Sequence, residues 1–276
     1  MKMALPIPKV PFNKNGKNLE SLLRKALFDF KMLEQAESLA VALSGGKDSL
    51  TLLFLLKAVL GYGVPNLPLS AIHVKGDFSC GANISTTFLK KICEQLEVPL
   101  FIAKSKKNNT KKTENKNNPE ISKKDKEKEQ ASEKNKETAT NCYSCSRNRR
   151  KLIFEVMKKE NITTVAFGHH SNDVAQTLLL NLLQKGEFAA MLPKIKMLRF
   201  SATIIRPLIY IKETEIINFA QHYGFLRATC NCPKGATSKR KEADNLIDIL
   251  TKTFPHARSN LALSALLYGS DKALKI

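Results

Sequence analysis

The sequence predicts an α/β fold, a doubly wound parallel sheet followed by a helical C-terminal extension. Short apolar runs alternate with segments of helical periodicity, which calls for right-handed parallel crossovers. A Gly-rich turn joins the first apolar run to a helix, and beyond Lys212 the apolar spacing is helical throughout.

Leu19, Leu22, Leu23, Ala26, Leu27, Phe30 and Leu33 recur at three- and four-residue steps, so an amphipathic helix precedes the first strand. That strand begins at Leu39 and runs into Ser44-Gly45-Gly46-Lys47-Asp48-Ser49, after which Leu50, Leu52, Leu53, Leu55 and Leu56 supply a largely apolar helix. Leu69 to Val74 reads as a second strand, Phe88 to Leu96 as a helix ending before Pro99, and Val98 to Ala103 as a third strand. Thr163 to Phe167 is a fourth, Val174 to Leu183 a helix and Ile204 to Leu208 a fifth strand. Helices follow at Thr214 to His222, Ala243 to Leu250 and Leu261 to Leu267. Lys104 to Thr140 is full of Lys, Glu, Asn, Ser and Thr and is expected to be a disordered or weakly helical insertion. The expected organisation is an N-terminal helical segment over 1–35, a nucleotide-binding domain over 36–210 carrying the insertion at 104–140, and a helical region over 211–276.

Lys and Arg number 45 against 25 Asp and Glu, a formal charge of +20. Such an excess favours a polyanionic partner, and it persists without the Lys-rich insertion. Pro6, Pro8 and Pro11 interrupt the apolar start, which therefore lacks the hydrophobic region of a secretory signal, and the longest apolar run is too short to span a bilayer. A cytoplasmic protein without membrane contact is expected. Its six cysteines are then thiols, metal ligands or catalytic groups, not structural disulfides.

The turn from Ser44 to Ser49 has the make-up of a phosphate cradle. Gly45 and Gly46 tolerate φ > 0 and present no Cβ, so backbone N–H groups and the Ser44 and Ser49 hydroxyls can converge on an anion at a helix N-terminus. Its spacing matches neither a P-loop nor a dinucleotide fingerprint. In a doubly wound sheet the ligand sits at the carboxyl ends of the strands, where Ser44 to Ser49, His73 and Gly168 to Asp173 all fall. His169 and His170, beside the Gly168 turn, are candidates to contact a nucleotide or RNA.

Cys142 and Cys145 open a basic helix containing Arg147, Arg149 and Arg150, while Cys230 and Cys232 lie far along the chain. Two thiolates in one turn can share a metal or cluster if a third arrives from elsewhere. A redox dithiol, a structural zinc site of four thiolates and unrelated packed thiols are the competing readings. Cys93 is expected on the core face of its helix.

Together these pieces resemble the tRNA 2-thiocytidine synthetase branch of the ATP pyrophosphatases. The resemblance rests on Asp29-Phe30-Lys31-Met32 with Ser44 to Ser49, on Cys142-x-x-Cys145-Ser146-Arg147-x-Arg149-Arg150, on Gly168-His169-His170-Ser171-Asn172-Asp173-Val174-Ala175-Gln176-Thr177, and on Arg206-Pro207-Leu208 leading to Cys230. It implies a Rossmann-like fold of the adenine nucleotide alpha hydrolase type, and an enzyme that uses ATP and Mg²⁺ to adenylate C2 of an anticodon-loop cytidine and replaces the oxygen by sulfur. It implies a 4Fe-4S cluster held by Cys142, Cys145 and Cys230, with tRNA and a sulfur donor, a cysteine desulfurase or another, as partners and a homodimer as assembly. By the same resemblance Asp48, Asp173, Arg149 and Lys47 are the catalytic candidates, and Ser44, Gly45, Gly46, Lys47, Asp48, Ser49, His73, Gly168 and His169 hold the nucleotide.

Two departures stand out. The family's Asp-Asp is Asn172-Asp173 here, so one carboxylate is missing, and the cysteine after Cys230 follows as Cys-x-Cys, so Cys232 is not counted as a ligand. Lysidine synthetase, which shares the phosphate loop, and a non-catalytic ATP- or RNA-binding module are the alternatives.

Overall fold

The computed structural model describes residues 5–75, 85–104, 142–226 and 239–269, and of residues 142–145 the backbone alone. The Lys-rich insertion, apart from Lys104, lies outside these residues, as do Cys80, Cys230 and Cys232.

Helix α1 (Lys14–Asp29) starts at Asn13, whose Oδ1 accepts the Gly16 N–H at 2.8 Å, and buries Leu19, Leu23, Ala26 and Leu27 along one stripe. The sequence pattern extends this helix to Leu33. The chain leaves it at Asp29 because Lys31 takes φ 46°, although Met32 and Leu33 still enter the core from the turn that follows.

Strands β1 (Leu39–Ala42), β2 (Leu69–Lys75), β3 (Leu100–Lys104), β4 (Thr164–Ala166), β5 (Lys194–Met197) and β6 (Ala202–Ile205) form one sheet in the order β3-β2-β1-β4-β6-β5. The first five strands of that order are parallel, and β5 closes the edge antiparallel to β6. The sequence reading missed β5 because Lys194-Ile195-Lys196-Met197 looks polar. An edge strand needs only one apolar face, and Ile195 and Met197 supply it while the lysines discourage pairing with another chain. The fifth predicted strand stops at Ile205, short of Leu208, since Pro207 has no N–H for a ladder.

Alternation divides the strand residues between two cores. Leu39, Val41, Ala71, Ala166 and Ile205 face helices α1, α2 (Lys47–Val59), α3 (Thr86–Gln95), α5 (Ser171–Lys185) and α6 (Glu213–His222). Ala40, Ile72, Val165 and Ile204 face Ile153, Phe154 and Met157 of α4 (Cys142–Lys159). Helices thus cover both faces, as expected. Cys93 of α3 is buried, and burial pushes its thiol up to about 11, so it is an inert core residue. Helices α7 (Lys239–Thr253) and α8 (Ala257–Tyr268) complete the described chain, and among the described residues no helix is long and apolar enough to cross a membrane.

Candidate active site

The strand order reverses between β1 and β4, and at such a switch point the loops leaving the two strands part and open a crevice. One wall is the turn from Ser44 to Ser49, the other Gly168 to Asp173. Gly45 has φ 85°, which only glycine takes without strain, and its N–H donates to Ser49 Oγ at 3.1 Å. The Gly46 N–H donates to Ser44 Oγ at 3.3 Å, the two serine oxygens lie 3.0 Å apart, and Ser49 Oγ donates to the Gly46 carbonyl at 3.0 Å. The cradle is therefore prefolded around its own hydroxyls, at the N-terminus of α2.

Gly168 explains the close approach of the second wall. A Cβ there would stand 3.0 Å from the Asp48 carbonyl carbon and 3.1 Å from the Ser49 nitrogen, both backbone atoms. His73 sits below the cradle with Nδ1 2.8 Å from the Leu43 carbonyl, so it donates to the end of β1 and steadies the loop from beneath.

Lys47 is only 7% exposed. Burial works against its charge, but Asp48 at 3.1 Å and Glu213 at 2.9 Å outweigh it and raise its pKa. Glu213 had no part in the sequence reading. The signal was only its place a few residues beyond Arg206-Pro207-Leu208, and its backbone N–H donates to Asn172 Oδ1 at 3.2 Å. Asn172 thus serves as an acceptor that seats the start of α6, and the carboxylate on Lys47 comes from Glu213.

Asp173 Oδ2 accepts the His170 N–H at 3.0 Å, and its other oxygen lies 3.6 Å from Arg240 of α7. Burial would raise its pKa, yet the His170 imidazole, the Arg240 guanidinium and the His170 N–H hold it below the usual carboxylate range. His169 stacks on Phe167, with centroids 5.7 Å apart, and accepts from Arg206 Nε at 3.3 Å. Burial pushes it down to about 3, against the pull of Asp173 and with the help of Arg206, Arg240 and Arg150, so it is neutral near pH 7. Arg149 is half-buried on α4, and the charge of Arg150, on the same helix, reaches His169 and Arg206.

Asp48 Oδ1 is buried and among the described residues has no aligned hydrogen-bond donor, with Lys47 Nζ at 3.1 Å and His170 Nε2 at 3.8 Å. Such an oxygen suits a divalent cation. Among the described residues no three His, Cys, Asp or Glu side chains form a ready cage, so a Mg²⁺ ion arriving with ATP would use Asp48 together with phosphate oxygens and water. For a cluster, Cys142 and Cys145 open the first turn of α4, while Cys230 lies outside the described residues. Three thiols are a donor set that suits iron and sulfide. Arg150, just beyond Cys145, and Arg240, in the first turn after the segment that holds Cys230, act on the same His169, and Arg240 acts on Asp173 as well. The helix that Cys142 and Cys145 open and the start of α7 therefore adjoin the crevice.

The sequence pattern of the PP-loop domain matches residues 14–226. The chain belongs to the PP-loop family. Of the PP-loop protein's relatives, the tRNA-cytidine(32) 2-sulfurtransferase of Syntrophotalea carbinolica is 29% identical over 253 residues, covering 89% of this chain and 86% of that protein. The enzyme of that name from Paraburkholderia phytofirmans is 30% identical over 250 residues, covering 90% and 68%. Among solved structures, the U34-tRNA thiolase NcsA from Methanococcus maripaludis with its 4Fe-4S cluster superposes with a TM-score of 0.65 at 25% identity, covering 91% of this chain and 77% of that one.

Proposed function

We propose that this PP-loop protein is an ATP-dependent tRNA sulfurtransferase that converts cytidine 32 to 2-thiocytidine. One juxtaposition carries the reading: Arg150, on the helix that Cys142 and Cys145 open, and Arg240, in the first turn of α7, both act on His169 in the wall of the crevice that holds the PP-loop.

The chemistry sets the residue roles. The C2 oxygen of cytosine is a poor leaving group, so it must be activated before sulfur can replace it. Its attack on the α-phosphorus of ATP expels pyrophosphate and leaves an O-adenylated ring, from which sulfur then displaces AMP. The N–H groups of Gly45 and Gly46 and the hydroxyls of Ser44 and Ser49 bind the departing pyrophosphate. Lys47 neutralises charge that grows on it, moving off Glu213 as phosphate oxygens arrive. Asp48 would hold the Mg²⁺ that neutralises phosphate charge, Asp173 orders the far wall, and Arg149 serves the substrate from α4. His73 keeps the cradle in place and Gly168 lets the two walls meet. Cys142, Cys145 and Cys230 would hold a 4Fe-4S cluster, which, with three protein thiolates for four irons, would supply a place for the sulfur to be delivered. A separate sulfur donor, a homodimer and a cytoplasmic setting complete the proposal.

The test is pyrophosphate release from ATP by anaerobically purified protein with and without tRNA. Release that depends on tRNA, with AMP formed in equal amount, is the expected result. ATP binding without turnover, in protein that carries iron, contradicts it.

A further inference from the structure

Three guanidinium groups from separate elements gather beyond the ends of β4 and β6. Arg206, directly after β6, is buried at 7% exposure and forms the floor. Its Nε donates to His169 Nδ1 at 3.3 Å and its Nη1 donates to the Leu192 carbonyl, so among the described residues two of its five N–H groups are spent. Arg150 and Arg240 form an exposed rim, Arg150 steadied by Ser146 Oγ at 3.1 Å and Arg240 lying 3.6 Å from Asp173.

Among the described residues this arrangement is electrostatically incomplete. Burial and the charge of Arg150 push Arg206 down to about 10, and the offsetting carboxylate, Asp173, is already shared with Arg240 and His170. Asp48 and Glu213 are engaged by Lys47. Like charges held together near a buried surface cost stability unless an anion joins them. His169 adds a donor and no charge: its Nδ1 accepts from Arg206, so the proton of the neutral ring sits on Nε2.

We propose that Arg206, Arg150 and Arg240, with the Nε2–H of His169, form a second oxyanion site beside the PP-loop, which seats one phosphodiester of the RNA strand. The required chemistry is a phosphoryl group with two accessible oxygens, suited to forked guanidinium donors. An RNA backbone offers this, and so does a nucleotide. The exposed rim favours RNA, because a strand laid over the crevice passes Arg150 and Arg240 before any of its groups reaches the buried floor. The proposal rests on RNA being the substrate.

The experiment uses the full chain, Arg150→Gln, Arg240→Gln and the double variant, with Arg206→Lys as the milder change at the floor. Affinity for a synthetic anticodon stem-loop RNA is measured over a salt titration, and affinity for pyrophosphate is measured in parallel. The double variant should bind RNA about tenfold more weakly, and its slope of log K against log salt should shrink by about one, with pyrophosphate affinity unchanged. Arg206→Lys, which keeps the charge and loses the fork, should weaken RNA binding while leaving the salt slope near wild type. An unchanged slope in the double variant overturns the site. So does a loss confined to pyrophosphate, which would assign these arginines to the nucleotide. Formation of 2-thiocytidine by the wild-type protein, scored separately, decides the substrate reading on its own.

Discussion

Lys47 is the residue on which charge balance in the crevice turns. Its two carboxylate partners are each about a third exposed, at 31% for Asp48 and 32% for Glu213, so removing the lysine leaves Glu213 in reach of water while the buried Asp48 Oδ1 loses its nearest cation. Lys47→Met should cut tRNA-dependent pyrophosphate release on the order of 100-fold, with a stability loss of about 1–3 kcal/mol. A variant that keeps its rate would remove Lys47 from the mechanism. His169 sets a pH dependence. Its folded pKa of about 3 lies below the ordinary 6.5, so as pH falls below 6.5 the unfolded chain takes up a proton that the folded chain refuses. The folded state loses up to about 2 kcal/mol from this group by pH 5. Unfolding curves at pH 7 and pH 5 should show a smaller difference in His169→Gln than in the wild type, and equal differences would contradict the assignment. At this scale the sequence was legible where the site is contiguous. Ser44 to Ser49 and Gly168 to Asp173 are runs whose chemistry follows from neighbours in the chain. Glu213, Arg206 and Arg240 reach the crevice only through tertiary packing, so nothing local marked Glu213 as the partner of Lys47.

Among the elements, α2 and α5 carry the two walls, and each is tied down at a definable point. Gly168→Ala sets a Cβ against the Asp48 and Ser49 backbone, so the walls separate by a few tenths of an ångström. This should lower the rate about tenfold or more while costing roughly 1–3 kcal/mol of stability. A rate equal to wild type would mean that the spacing of the walls is unimportant. Helix α5 is braced from behind: Gln176 Nε2 donates to Asp244 Oδ1 at 2.9 Å, and Arg258 of α8 donates to the same oxygen at 2.7 Å and to Asp248 at 2.6 Å. Asp244→Ala removes the shared acceptor and should cost about 1–3 kcal/mol, read as a drop in Tm of several degrees. An unchanged Tm would show that α7 and α8 do not support the wall. The elements themselves were read from periodicity, because amphipathic helices and apolar parallel strands declare their buried faces. The exceptions were the end of α1, decided by one left-handed residue, and β5, whose lysines mask a strand that needs only one apolar side.

Across the whole molecule, a sheet built for nucleotide binding is covered on one face by α4 among the described residues, and that helix opens with Cys142 and Cys145. The excess of positive charge, 45 basic against 25 acidic residues, suits a long polyanion better than a small substrate. That balance was plain from composition, whereas the convergence of α4 and the start of α7 on one crevice depends on how distant segments pack. The central claim is transfer of sulfur to C2 of cytidine at this crevice. Its most direct test is mass spectrometry of nucleosides from tRNA incubated with anaerobically purified protein, ATP, Mg²⁺ and a sulfide source. The account predicts 2-thiocytidine that appears only with ATP and is lost in Cys142→Ala and Cys230→Ala. Unmodified cytidine under those conditions, from protein that carries its cluster and binds ATP, would contradict it.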